Sequence, residues 1–182
     1  MNMYEETMKS TKIFEGKVIS VRVDTVELPG AKYAKREIVE HRGAAAILAV
    51  DENENIYMVR QYRKACEEVL LEIPAGKLEI GEKPLDCAKR ELREEVGLVA
   101  ENMDYMLEFY TSAGFCNEKI HIFLANGISL AQRDPDEDEI IEVEKFSIDE
   151  VLKKITYGEI VDAKTIIAIL YYVNNRRQKN GI

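Results

Sequence analysis

Residues 17–28 read KVISVRVDTVEL, apolar and polar side chains alternating with the period of a half-exposed strand. Pro29-Gly30 marks a turn, and residues 35–41 read as the returning strand. Together they predict an N-terminal antiparallel hairpin, too small to bury a core of its own. At residue 44 the pattern changes. AAAILAV is a continuous apolar run, followed by a polar turn at 51–55 and then IYMVRQYR, which predicts two buried strands. Residues 69–73 (VLLEI) predict another, broken by Pro74-Ala75-Gly76. A helix is expected over 84–96, with proline near its first turn and Gly97 just past its end. Residues 103–111 and 119–125 are strand-like, 132–139 form an acidic loop, and 143–146 predict a last strand. Helices at 147–155 and 162–176 close the chain. Strands and helices mix without a repeating βαβ period, which predicts an α+β fold.

Composition narrows the chemistry. The chain has 182 residues, about one domain, and 46% of them are apolar, enough for a real core. Its formal net charge of −9 disfavours a general nucleic-acid binder, so phosphate compounds would be met through a cation. No apolar run reaches membrane-spanning length, and the N-terminal residues are polar where a signal peptide would be apolar. These features predict a cytoplasmic protein that binds no nucleic acid and no membrane. Cys66, Cys87 and Cys116 are too widely spaced for a metal knuckle and read as small hydrophobes. With His41 and His121 the only histidines, acid–base chemistry must lean on carboxylates.

The densest cluster of carboxylates is on the 84–96 helix. On an ideal wheel of about 100° per residue, Leu85, Ala88, Leu92 and Val96 form an apolar stripe. Glu91 and Glu95 stand side by side on one flank of it, with Glu94 further toward water. Like charges at this spacing cost about 0.2–0.5 kcal/mol, and more where they are partly covered. Two readings follow: a solvated charged helix with an Arg90–Glu94 pair, or a divalent-cation site that offsets the repulsion. A hard cation such as Mg²⁺ takes oxygen ligands and shares its shell with substrate phosphates. Glu82 and the backbone carbonyls around Ala75-Gly76 could complete such a site.

Gly76, Glu82, Arg90-Glu91-Leu92, Glu94-Glu95 and Gly97-Leu98 are nine specified positions over 23 residues, and their spacing resembles the Nudix box without a mismatch. The N-terminal hairpin, RQYR at 60–63, LEIPAG before the box, DEDE after it and VDAKT near the end resemble the ADP-ribose pyrophosphatase branch of that family. The resemblance implies a Nudix-type α/β/α sandwich (residues 43–182) carrying an N-terminal antiparallel β extension (residues 1–42) that mediates homodimerisation. It also implies Mg²⁺-dependent hydrolysis of ADP-ribose to AMP and ribose 5-phosphate, with Mn²⁺ as an alternative ion.

By the same resemblance, Glu91 and Glu95 are the main metal ligands and Glu94 a lesser or bridging one. The Ala75 carbonyl adds a backbone oxygen, Glu82 touches metal-bound water, and Arg90 holds the carboxylates in place. In the acidic loop, Glu137 is expected as general base and Glu139 as a further metal ligand, or the two reversed. Arg63 and Glu72 resemble positions at the pyrophosphate and ribose end of the substrate. Arg36 and Phe14 resemble positions that sandwich the adenine across a dimer, and Glu118 matches a position of undefined role. The chain departs from the branch in one turn, where Ser112-Ala113-Gly114 stands in place of Ser-Pro-Gly. Two other readings remain open. One is the same chemistry on another nucleoside diphosphate sugar, a dinucleotide or an oxidised nucleotide. The other is a ligand-sensing module without catalysis, which the intact box disfavours.

Overall fold

A computed structural model describes residues 3–133 and 140–179. The chain forms two compact units, one made of the residues up to Gly43 with Glu108–Ile120, the other of Ala44–Leu107 with the residues from His121 on.

The first unit is built on a three-stranded antiparallel sheet: β1 (Glu6–Glu15), β2 (Ile19–Leu28) and β3 (Lys32–His41), in that order. The expected hairpin is β2–β3, paired from Ile19↔His41 to Leu28↔Lys32. β1 was not expected. All ten of its residues are exposed, so its sequence carries no buried-face alternation, and pairing with β2 is what makes it a strand. The turn at Ser112-Ala113-Gly114 also belongs to this unit. It closes without the proline, since the Phe115 and Cys116 N–H groups both donate to Ser112 O, at 3.0 and 2.8 Å.

A second sheet, most of it in the second unit, runs in the order β10 (Ile141–Ser147), β5 (Asn55–Arg63), β4 (Ala44–Val50), β9 (Lys119–Leu130) and β8 (Leu98–Tyr110). β6 (Glu68–Glu72) pairs with β5, and the three-residue β7 (Ala75–Lys77) pairs with β4. Every residue of β4 is buried, because helices cover both faces of the sheet. On one face Ala45, Ile47 and Ala49 join Val59, Cys87, Ala88, Leu92 and Phe123 in a core under α1 (Pro84–Glu91). On the other, α3 (Ala163–Lys179) packs against β4, with Ala168 and Ile169 fully buried. α2 (Ile148–Thr156) is opened by a capping box on Ser147 and Glu150. This is the expected α+β arrangement, a sheet between helical layers. Among the described residues no helix is long and apolar enough to cross a membrane.

The helix expected over 84–96 is α-helical only to Glu91; Leu92–Val96 forms a π-helical turn ending at Gly97, whose φ of 73° suits glycine. Its buried face is also rotated from the ideal wheel. Leu85, expected in the core stripe, is 37% exposed, whereas Cys87, Ala88, Glu91, Leu92, Glu95 and Val96 are buried. The two glutamates therefore sit in the middle of the buried face rather than on its flank. Cys87 behaves as the small buried hydrophobe expected of it, while Cys66 is exposed.

Candidate active site

The 76–98 segment folds back on itself so that its carboxylates meet the β7 backbone. Glu91 and Glu95 are 8% and 3% exposed, a costly place for charge unless each is satisfied. Glu95 Oε2 accepts the Ala75 N–H at 2.9 Å, and Glu91 Oε1 accepts from Arg90 at 2.7 Å. Gly76 leaves open the space that the Glu91 carboxylate fills; a Cβ there would stand 1.7 Å from Oε1.

Arg90 ties the cluster together. Its Nε donates to Glu82 Oε1 at 2.9 Å, a terminal nitrogen reaches both Glu91 and Glu94 at 2.7 and 2.9 Å, and the other reaches Glu82 Oε2 and the Lys77 carbonyl. One guanidinium thus holds three carboxylates in a fixed fork, a geometry lysine cannot reproduce. The hydrogen bond from Arg90 holds the Glu82 carboxyl below its ordinary value, and the carboxylates in turn push Arg90 up. Glu82 also accepts the Glu79 N–H at 2.9 Å, closing the loop before α1. Beneath them, burial first and the charges of Glu82 and Glu91 next push the Cys87 thiol up to about 12, so it stays a neutral donor to the Gly76 and Lys77 carbonyls.

A second network adjoins the first. Glu72, only 1% exposed, accepts Arg63 Nε at 2.7 Å and Arg63 Nη2 at 2.8 Å, and it also accepts Lys164 Nζ. Burial would raise its carboxyl, but Arg63 and Lys164 override this and hold it below the ordinary value. Arg63 is raised by Glu72, its bidentate partner, and also feels the charge of Glu95. Lys164 bonds Asp162 as well, at 3.0 Å. Asp162 caps α3 by accepting the Thr165 N–H and hydroxyl at 3.0 and 2.5 Å. VDAKT at 161–165 is part of the resemblance, but the sequence alone gives Asp162, Lys164 and Thr165 no role. An aspartate three residues before a threonine, heading an apolar helix, is the signal that could have found them.

The structure therefore brings Glu82, Arg90, Glu91 and Glu94 into one hydrogen-bonded cluster, sets Glu95 on Ala75, and pairs Arg63 with Glu72. The other expected residues lie elsewhere. In the first unit Arg36 makes a bidentate pair with Glu5 and Phe14 is half exposed. Glu118 accepts the Thr111 hydroxyl at 2.8 Å and lies 3.3 Å from His41 Nδ1. Glu137 and Glu139 lie outside the described residues.

The donor set suits a divalent cation that the protein grips only partly. Among the described residues no three His, Cys, Asp or Glu side chains converge to hold an ion alone. Mg²⁺ asks for less: one or two carboxylates, with waters and substrate phosphate oxygens filling its shell. Two buried, preorganised carboxylates beside a backbone turn supply that.

A model of the NUDIX domain matches residues 40–167. The chain belongs to the Nudix family. It is 47% identical over 172 residues to a Bacillus subtilis protein named ADP-ribose pyrophosphatase, covering 93% of each chain. It is 46% identical to a Bacillus methanolicus protein named methanol dehydrogenase activator, covering 92% of this chain and 91% of that one. A crystal structure of an ADP compounds hydrolase has the same fold, with a TM-score of 0.83, 18% identity, and coverage of 97% and 96% of the two chains. Nudix ADP-ribose pyrophosphatases generally depend on a divalent metal, which agrees with the donor set described above.

Proposed function

We propose that this Nudix protein uses Mg²⁺ to hydrolyse the pyrophosphate bond of ADP-ribose, giving AMP and ribose 5-phosphate. The observation that carries the reading is the pair of buried carboxylates, Glu91 and Glu95, held by Arg90, Ala75 and the empty side of Gly76. The likeness to the Bacillus subtilis ADP-ribose pyrophosphatase over nearly the whole chain supports the substrate.

Glu91 and Glu95 would hold the ion, with Glu94, Glu82 and the Ala75 carbonyl completing its surroundings. When bound, a divalent cation neutralises charge on the pyrophosphate oxygens. Arg90 keeps the carboxylates apart from one another and correctly aimed, so no reorganisation is needed as charge develops. Arg63, fixed by Glu72, would supply the cation for the phosphate end. A water oxygen bonds to one phosphorus, the bridging P–O bond breaks, and the bridging oxygen leaves with the other phosphate. Glu137 takes the proton of the attacking water and Glu139 adds a metal ligand, or the two exchange roles. Arg36, Phe14 and Glu118 are carried as substrate contacts of the first unit.

The protein is proposed to act as a homodimer. A three-stranded sheet whose outer strand β1 exposes Met8, Ile13 and Phe14 leaves an edge and apolar side chains for a second copy. Light scattering at micromolar concentration is expected to give twice the 20.8 kDa chain mass, and a monomer rejects the dimer.

Ala113 favours one second reading, hydrolysis of a different nucleoside diphosphate derivative, since the turn lacks the proline of the branch. The deciding experiment is a substrate panel with Mg²⁺: ADP-ribose, ADP-glucose, NADH, diadenosine polyphosphates and an oxidised dGTP, with Glu95→Gln alongside. ADP-ribose turned over fastest, with the variant inactive, upholds the proposal. Another compound turned over fastest transfers the same chemistry to that compound. No turnover of any compound rejects catalysis and leaves a sensing module.

A further inference from the structure

We propose that the first turn of α3 belongs to the catalytic apparatus at one remove: Asp162, Lys164 and Thr165 are positioning residues that hold residues 72–75 so that Ala75 presents its N–H to Glu95. The inference rests on the reading of Glu95 as a metal-holding carboxylate. The three residues lie outside the box, and the resemblance, which includes VDAKT at 161–165, gives them no role.

Each of the four residues from Glu72 to Ala75 is fixed by a different bond. The Glu72 side chain is held by Arg63 and Lys164. The Ile73 N–H donates to Thr165 Oγ1 at 2.9 Å, in a fully buried contact. The Pro74 carbonyl accepts the Ile47 N–H at 2.9 Å, and the Ala75 N–H donates to Glu95 at 2.9 Å. Two of these four anchors come from α3, and Asp162 stands behind both, since it accepts from Lys164 Nζ and from the Thr165 hydroxyl.

A simple helix cap would need only the Asp162 bond to the Thr165 N–H. Here the Thr165 hydroxyl, committed as donor to Asp162, is left with its lone pairs for Ile73, and the Asp162 charge keeps Lys164 against Glu72. The arrangement directs the cap outward, onto the segment that carries the catalytic turn. Partners that orient a metal-holding group generally matter to metal affinity about as much as tenfold to a hundredfold.

The test compares Thr165→Val, Thr165→Ser and Asp162→Asn in the full chain. Three quantities are measured: steady-state kinetics on ADP-ribose, Mn²⁺ binding without substrate by water-proton relaxation, and thermal unfolding. Thr165→Val and Asp162→Asn are expected to weaken Mn²⁺ about tenfold to a hundredfold and lower kcat by a similar factor, with KM for ADP-ribose within about twofold. Thr165→Ser, which keeps the hydroxyl, is expected to restore most of both. A folded Thr165→Val with wild-type Mn²⁺ affinity overturns the proposal, as does a loss confined to KM or a serine variant no better than valine. Should Thr165→Val not fold, Asp162→Asn decides by the same readouts. Should the wild type bind Mn²⁺ but leave ADP-ribose intact, the substrate reading falls and the Mn²⁺ series alone judges the positioning role.

Discussion

Glu91 lays its carboxylate against the α-carbon of Gly76, so closely that a Cβ at that position would stand 1.9 Å from the Glu91 Cδ and 1.7 Å from Oε1. The glycine is required by the neighbour's space, not by its own backbone angles. A methyl group there must displace Glu91 from Arg90 by an ångström or more, and misplacement on that scale costs about a hundredfold in rate. Gly76→Ala is therefore expected to lower kcat on ADP-ribose about a hundredfold while the protein stays folded by circular dichroism. Activity within a few-fold of wild type would show that Glu91 can move without consequence.

Arg90 offers a contrast between charge and shape. Arg90→Ala leaves Glu82, Glu91 and Glu94 without their shared cation, and removing one partner of a largely covered ion-pair network costs about 3 kcal/mol. Arg90→Lys keeps the charge but cannot reach three carboxylates at once, so stability is expected to recover more than activity does. Urea unfolding together with kcat measures both. Equal recovery of the two would reject orientation as the role of Arg90.

Much of this is legible in the sequence. The AAAILAV run gave β4, the Pro84 and Gly97 punctuation gave the helix ends, and the glutamate spacing gave the cluster. Other features left no local signal. β1 buries nothing, so no alternation marked it, and β7 is three residues whose pairing depends on β4. The π-helical turn and the rotated buried face depend on contacts with β7, where Glu95 accepts the Ala75 N–H and Glu91 packs against Gly76. The Asp162–Thr165 cap was written in local spacing, but its reach to Ile73 is tertiary and ninety-two positions away in sequence.

Glu72 makes a pH-dependent contribution whose sign is fixed. Its carboxyl lies below the ordinary 4.5: burial opposes ionisation, but Arg63 and Lys164 prevail. A depressed folded-state pKa means the pairing stabilises fully above about 4.5 and is lost as pH falls through the lower folded value. Glu72→Gln is expected to cost about 3 kcal/mol at pH 7, because it strands Arg63 and Lys164. That difference should shrink steadily below pH 4.5. Thermal unfolding of both proteins between pH 7 and pH 3 tests it, and a difference independent of pH would mean packing, not charge, holds the pair.

The roles of Glu137 and Glu139 separate by kinetics, because a base and a ligand fail differently. A general base must be ionised to accept the proton of the attacking water, so it puts an acid limb on the pH–rate profile and contributes about 10²- to 10⁴-fold. Its replacement by glutamine lowers kcat and flattens that limb, at any Mg²⁺ concentration. A metal ligand replaced in the same way keeps the limb but raises the Mg²⁺ needed for half-maximal rate. Glu137→Gln is expected to show the first behaviour and Glu139→Gln the second. The opposite assignment exchanges the roles, and two variants that both retain the limb and full kcat would remove Glu137 and Glu139 from the reaction and require the base to come from elsewhere in the chain.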